Sequence, residues 1–215
     1  MNNITLQQIG LMYGTDKSRH SFKNSTYLDI YHKYLNHKRN EVKTLVEIGI
    51  LNGSSLKMWK EYFPNATIYG IDINPECRKY EEDRIKILIG DQNDDAFLEK
   101  IKNELPNIDV LIDDGSHITL HQIKTFNYLY DKINKDGTYI IEDLANSYEE
   151  FNGDLDLRVW WPGMALNKSS DPLKNKRQDF NEWIQFLVKK LDLRDVNSRI
   201  TSIHHHSMIV VFDFC

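Results

Sequence analysis

The sequence predicts an α/β protein built on an open, doubly wound, mostly parallel sheet with helices on both faces. Two observations carry this. Five short apolar runs, Thr44–Ile50, Thr67–Ile73, Ile85–Asp91, Asp109–Gly115 and Thr138–Leu144, are rich in Ile, Val, Leu and Tyr and carry glycine or acidic residues at or near their ends. Near-continuous apolar strands of this length suit a parallel sheet buried on both faces. Helical stretches then alternate with the runs, and repeated β-α units imply right-handed crossovers.

Each element has its own signal. Residues 54–63 begin with Ser54 and stop before Pro64, and residues 94–105 begin with two acids and stop before Pro106. Residues 120–133 carry Ile123, Phe126, Leu129, Tyr130 and Ile133 at helical spacing. Caps, acidic first turns and terminal prolines set these boundaries. Residues 1–41 read as a helical cap, with an apolar face of Leu6, Ile9, Leu11, Met12, Tyr27, Ile30, Tyr31 and Tyr34 around the polar loop YGTDKSRHSF. Residues 42–144 form the ligand-binding core. Residues 145–178, which hold Trp160-Trp161-Pro162-Gly163, show no period and read as a substrate-side insertion; irregular stretches this long are usually functional. A helix at 179–192 and a strand pair meeting near Ser207 complete one domain, 1–215.

Composition limits the function. Hydrophobic residues make up 40% of the chain, enough for a sizeable core, and 27 basic against 32 acidic residues leave a net charge of −5. That balance argues against a duplex nucleic-acid binder. The 2 cysteines, Cys77 and Cys215, form neither a disulfide framework nor a CxxC metal pattern, which fits a reducing, cytoplasmic setting. The N-terminus lacks a signal-peptide pattern, and no apolar run is long enough to span a bilayer.

The chemistry is expected at the carboxyl ends of the strands, where ligands bind in open α/β sheets. The first strand ends in Glu47, Gly49 and Gly53, followed by Ser54. The glycine spacing is GxxxG, not the GxGxxG pyrophosphate fingerprint, and the preceding carboxylate suits a ligand bearing an ammonium group rather than an anion. Asp72, followed by Ile73, ends the second strand, where a carboxylate can accept both hydroxyls of a ribose. Asp91 and Gln92 end the third, where they can meet an adenine edge. Together they describe a pocket for a nucleoside with an amino-acid tail and no phosphate, as in S-adenosylmethionine. The competing reading is that Glu47 and Asp72 only cap the following helices.

Asp113-Asp114-Gly115-Ser116-His117 ends the fourth strand and Glu142-Asp143 the fifth. Carboxylates brought together in this way need a compensating cation or a shared proton. Several carboxylates with open positions suit Mg²⁺ or Mn²⁺ better than zinc. His117 is placed to act as a general base near neutral pH; the alternative is a helix-capping Asp beside an ordinary loop histidine. His204-His205-His206 resembles a metal cluster, but consecutive strand residues alternate faces and cannot easily share one ion. Trp160-Trp161 reads equally as a sugar-stacking platform or a buried pair, and Lys168–Arg177 as a solvated loop.

Taken in order, YGTDKS, LVEIGILNGSSLKMW, YGIDI, GDQND, IDDGSH, HQIKTF and GTYIIEDL resemble the metal-dependent, S-adenosylmethionine-dependent sugar O-methyltransferases of the mycinamicin and elloramycin type, with relatives in capsule and polysaccharide clusters. The resemblance covers roughly residues 5–148. It implies a Rossmann-like class I methyltransferase fold, with a seven-stranded sheet whose last strand is antiparallel. It implies that Glu47, Gly49, Gly53, Ser54, Asp72, Ile73, Asp91 and Gln92 hold the cofactor, that the loop of Tyr13, Thr15 and Lys17 folds over it, and that Asp113 lines the adenosine side. It makes Asp114, Glu142 and Asp143 metal ligands, with Asp114 and His117 catalytic. The implied acceptor is a sugar hydroxyl, on a nucleotide sugar or a polysaccharide of the capsule type. No nucleic-acid or membrane partner is implied, and there is room for a homo-oligomer. Three rivals remain at this point: a nicotinamide-dependent oxidoreductase or epimerase, with which the glycine spacing disagrees; a non-catalytic nucleoside-binding partner in polysaccharide biosynthesis; and a metal-dependent hydroxylase or hydrolase using the same carboxylates.

Overall fold

A computed structural model describes residues 4–18, 27–147 and 177–215. Seven strands run β1 (Thr44–Ile48), β2 (Thr67–Asp72), β3 (Ile85–Ile89), β4 (Ile108–Asp113), β5 (Ile133–Ile141), β6 (Ile200–His205) and β7 (Val210–Phe214). The helices of the described residues are α1 (Leu6–Tyr13), α2 (Tyr27–Leu35), α3 (Ser54–Tyr62), α4 (Asp95–Glu104), α5 (Thr119–Leu129) and α6 (Arg177–Asp192).

The strands lie in the order β3-β2-β1-β4-β5-β7-β6. Strands β1 to β5 pair in parallel, and β7 runs antiparallel to both β5 and β6. The expected sheet, with its antiparallel last strand, is therefore present. Strand β5 starts earlier than its apolar run, at Ile133, and crosses a register irregularity against β4 before the Thr138–Ile141 stretch pairs regularly. The polar residues Asn134, Lys135 and Asp136 hid this extension.

Period-two alternation sorts the strand residues into two cores. Leu45, Val110, Ile112, Ile140 and Val211 pack with Leu6, Leu28, Tyr31, Leu56 and Trp59, which come from α1, α2 and α3. Val46, Leu111, Tyr139, Ile141 and Phe212 pack on the other face with Leu98, Ile101, Phe126, Leu129, Phe180 and Leu187, from α4, α5 and α6. The helix expected over 179–192 is α6, which begins at Arg177. The Trp160–Gly163 motif, most of the 145–178 segment and Lys168–Lys176 lie outside the described residues. The histidine run behaves as strand alternation requires. His204 Nε2 lies 3.3 Å from Asp213 Oδ2 and His206 Nε2 lies 2.8 Å from Tyr34 Oη, while the ring of His205 turns to Phe180.

The strand order reverses between β1 and β4, because the chain leaves β1 for one face and β4 for the other. This is the switch point at which open α/β sheets bind ligands. Register aligns Ile48, Asp113 and Ile141 across β1, β4 and β5. The polar ends of these three strands therefore stand side by side. Gly49 makes their close approach workable: its φ is +91°, and a Cβ there would stand 2.0 Å from the Asp114 carbonyl oxygen.

Phe126 anchors the second core. Its ring meets those of Tyr130, Tyr139, Trp183, Phe212 and Phe214 at centroid distances from 4.9 to 6.4 Å. Phe126→Ala should cost about 3–5 kcal/mol of unfolding free energy in urea titrations followed by circular dichroism.

Candidate functional site

The N-terminal arm is built to deliver one side chain. Thr5 caps α1 in a reciprocal box with Gln8: the Gln8 amide donates to Thr5 Oγ1 at 3.2 Å, and the Thr5 amide donates to Gln8 Oε1 at 2.8 Å. Gly14 ends the helix in the left-handed region, at φ +65°. The chain then turns inward, and Thr15, Lys17 and Ser18 are all buried.

The Lys17 ammonium sits among three carboxylates from three strand ends. It lies 3.6 Å from Glu47 Oε1, 2.9 Å from Glu142 Oε1 and 3.0 Å from Glu142 Oε2, and it also donates to Asp114 Oδ2. Glu47 points into the core face of β1 and is fully buried. It accepts from Ser55 Oγ at 2.7 Å and from Trp59 Nε1 at 3.2 Å, both on α3. Burial, the larger influence, pulls the Lys17 pKa down, but Asp114, then Glu142 and Glu47, outweigh it and hold the ammonium well above its usual range. Burial also lifts Glu47 to about 7 against the pull of Lys17, and lifts Asp114 to about 6. Glu142 is raised by burial and by Asp114.

A second grouping shares Asp114. One ligand atom each from Asp114, His117 and Asp143 lies within 4.8 Å of the others, and His117 Nε2 is 3.5 Å from Asp143 Oδ2. His117 and Asp143 both take left-handed backbone conformations, at φ +58° and +57°. Such conformations cost on the order of 1–3 kcal/mol each and collect at functional sites.

Two tyrosines one helical turn apart on α2 close over this end of the sheet. Tyr27 Oη donates to Asp143 Oδ1 at 2.6 Å, and Tyr31 Oη donates to Glu142 Oε1. Sequence reasoning placed both only on the apolar face of the cap. Their i, i+4 spacing opposite the consecutive acids Glu142-Asp143 was the available signal.

The other expected ligand residues lie along the same rim, outside the acidic cluster. Tyr13 closes α1 and packs against the first core. Gly53, at φ +74°, precedes α3, and the Ser54 amide donates to Asn52 Oδ1. Asp72 uses both oxygens to accept amides, Ile50 N–H and Asn74 N–H, each at 2.8 Å. Ile73 beside it is 62% exposed. Asp91 accepts the Asn93 amide at 2.8 Å. Gln92 braces the loop after β4. Its Nε2 donates to Asp113 Oδ1 at 3.2 Å and to Thr125 Oγ1 at 3.3 Å, and its Oε1 accepts the Ser116 amide at 2.6 Å. Burial raises Asp113 to about 6.

No protein-family model matches the chain. Over 150 residues it is 36% identical to the 8-demethyl-8-alpha-L-rhamnosyl tetracenomycin-C 2'-O-methyltransferase of Streptomyces olivaceus, a match covering 66% of this chain and 38% of that protein. It is 39% identical over 134 residues to the demethylmacrocin O-methyltransferase of Streptomyces fradiae, covering 59% and 34%. Among solved structures, the mycinamycin-pathway methyltransferase MycE in complex with Mg, SAH and Mycinamycin VI superposes with a TM-score of 0.76 at 28% identity, covering 97% of this chain and 54% of that one. The chain is a relative of the sugar O-methyltransferases. It spans little more than a third of the curated sugar O-methyltransferases it matches. The SAH-bound methyltransferase PaMTH1 of Podospora anserina, at 16% identity and a TM-score of 0.58, shares the fold alone.

In this sugar O-methyltransferase relative, the raised Glu47 has a thermodynamic signature. The unfolded chain releases the Glu47 proton near its ordinary value of 4.5, whereas the folded protein holds it to about 7. Between those values the folded state binds more protons, so this group makes stability fall as pH rises. Glu47→Gln should flatten that decline by up to ~1.4 kcal/mol per pH unit, in urea titrations run across the interval.

Proposed function

We propose that the chain is an S-adenosylmethionine-dependent O-methyltransferase that methylates a sugar hydroxyl with the help of Mg²⁺ or Mn²⁺. The observation that carries this reading is the convergence of Glu47, Asp114, Glu142, Asp143 and His117 at the switch point of a methyltransferase sheet. Asp114 and Asp143 each bring a carboxylate oxygen within 4.8 Å of the other and of a His117 ring nitrogen, an arrangement that suits a hard, oxygen-seeking divalent ion with a base beside it. Asp114, Glu142 and Asp143 would hold the ion, which leaves His117 as the base. Asp72 would take the ribose of the donor, with the exposed side chain of Ile73 against the adenine, while Glu47, Gly49, Gly53, Ser54, Asp91 and Gln92 line the rest of the rim. Tyr13, Thr15 and Lys17 close it from the cap.

When bound, the donor supplies the methyl group as a sulfonium, and the divalent ion acidifies the acceptor hydroxyl. The chain's own residues do the rest. His117 takes the hydroxyl proton at Nε2, and the imidazolium so formed faces Asp143 Oδ2. Tyr27 and Tyr31 fix the orientation of Asp143 and Glu142. The cap excludes water, which favours a reaction in which opposite charges neutralise each other.

The finer part of the proposal is the acceptor: a nucleotide-linked sugar or a polysaccharide of the capsule type. It rests on the sequence resemblance. A cytoplasmic setting is part of the same reading and is supported by the free thiols of Cys77 and Cys215. No helix among the described residues is long and apolar enough to cross a membrane.

Calorimetry with S-adenosylmethionine, with NAD, and with each in the presence of Mg²⁺ separates this reading from an oxidoreductase; binding of NAD alone would reject it. Asp114→Ala should abolish metal-stimulated methyl transfer to sugar acceptors while donor binding persists, and full activity of the wild type in chelator would remove the metal. His117→Ala should lower turnover about 10²–10⁴-fold at neutral pH and erase the acidic, rising limb of the pH–rate profile. An unchanged profile would reject His117 as the base.

A further inference from the structure

The Lys17 ammonium and a divalent ion claim the same carboxylates. Lys17 pairs with Asp114 and Glu142, two of the three side chains proposed to hold the metal, and with Glu47 behind them. The third, Asp143, is tied to Tyr27 and His117. The lysine side chain is 2% exposed, so water does little to screen it from a neighbouring cation. Two positive centres sharing Asp114 repel each other strongly at the effective dielectric of such a site.

We propose that Lys17 is a built-in counter-ion that competes with the divalent metal, so that metal binding in the absence of the donor loosens the Tyr13–Ser18 arm and the lysine sets the metal affinity. This rests on the methyltransferase reading of the site. It gives Lys17 a positioning role: the ammonium holds Glu47, Asp114 and Glu142 together when no metal is bound, and it yields Asp114 and Glu142 to the metal. The Tyr13–Ser18 arm carries the lysine; the Lys17 amide donates to Thr15 Oγ1 and the Ser18 amide to the Thr15 carbonyl. The arm is not a strand of the sheet, so it can give way without unravelling it.

The test is a Mn²⁺ titration, followed by electron paramagnetic resonance, of the wild type, Lys17→Met and Asp143→Asn. Competition predicts that Lys17→Met binds Mn²⁺ roughly tenfold more tightly or better. A lysine that only supports the fold predicts equal or weaker binding, and that result would overturn the proposal. Loss of Mn²⁺ binding in Asp143→Asn confirms that the titrated site is the proposed one. Wild type that binds Mn²⁺, beside a Lys17→Met variant that binds it no better, sinks the lysine's role and leaves the methyltransferase reading standing. Absence of binding in both sinks the metal reading and the proposal together. The wild type offers a second readout that does not depend on the variant folding. Saturating Mg²⁺ should accelerate amide hydrogen exchange in the segment 13–18, and unchanged or slower exchange there would refute the proposal.

Discussion

One buried ammonium organises this end of the molecule. Glu47, Asp114 and Glu142 come from three adjacent strands, and none of them could remain charged at that separation without a cation between them. Lys17 supplies it from an arm outside the sheet. The arrangement is a poor way to gain stability, since burial works against every charge involved. On the proposed reading it is the resting form of a site that receives other positive charge: a sulfonium, an ammonium group or a divalent ion.

The sheet prepares this meeting first through register. Aligning Ile48, Asp113 and Ile141 brings the next residues of β4 and β5 level with the turn after β1. The glycine at 49 lets the backbones approach, and Gln92 and Gln122 then pin the two loops. Gln92 bonds to Asp113 and to the Ser116 amide, and Gln122 Nε2 donates to the Glu142 carbonyl at 3.1 Å. Residues expected to touch a ligand thus also hold the scaffold. The same is true of Asp72, whose two oxygens shape the rim by accepting backbone amides.

Most of the architecture was legible because parallel strands buried on both faces leave long apolar runs, and their ends leave acids and glycines. Glu47, Asp72, Asp114, Glu142 and Asp143 were legible as the acids at or just beyond those strand ends. The early start of β5 was not legible, because Asn134–Asp136 break the apolar pattern. Nor was the electrostatic role of Lys17, which sequence reading placed simply in a loop over the cofactor. A lysine has no pattern that reveals what it reaches across the fold, and only tertiary structure showed that it faces the acids. Tyr27 and Tyr31 were similarly hidden. A tyrosine on an apolar helix face looks like core, and its hydroxyl counts only once the opposite strand end is known to be acidic.

The distance along the chain between Lys17 and its partners carries a consequence for biosynthesis. Lys17 and Glu142 are separated by 125 positions. A nascent polypeptide emerging from its N-terminus therefore presents the arm and its lysine long before the fifth strand exists. Closing so long a loop is slow relative to local pairing. The contacts of Lys17 with Asp114 and Glu142 can form only once the ends of β4 and β5 are in place, so the arm cannot dock in its native position before that half of the sheet exists.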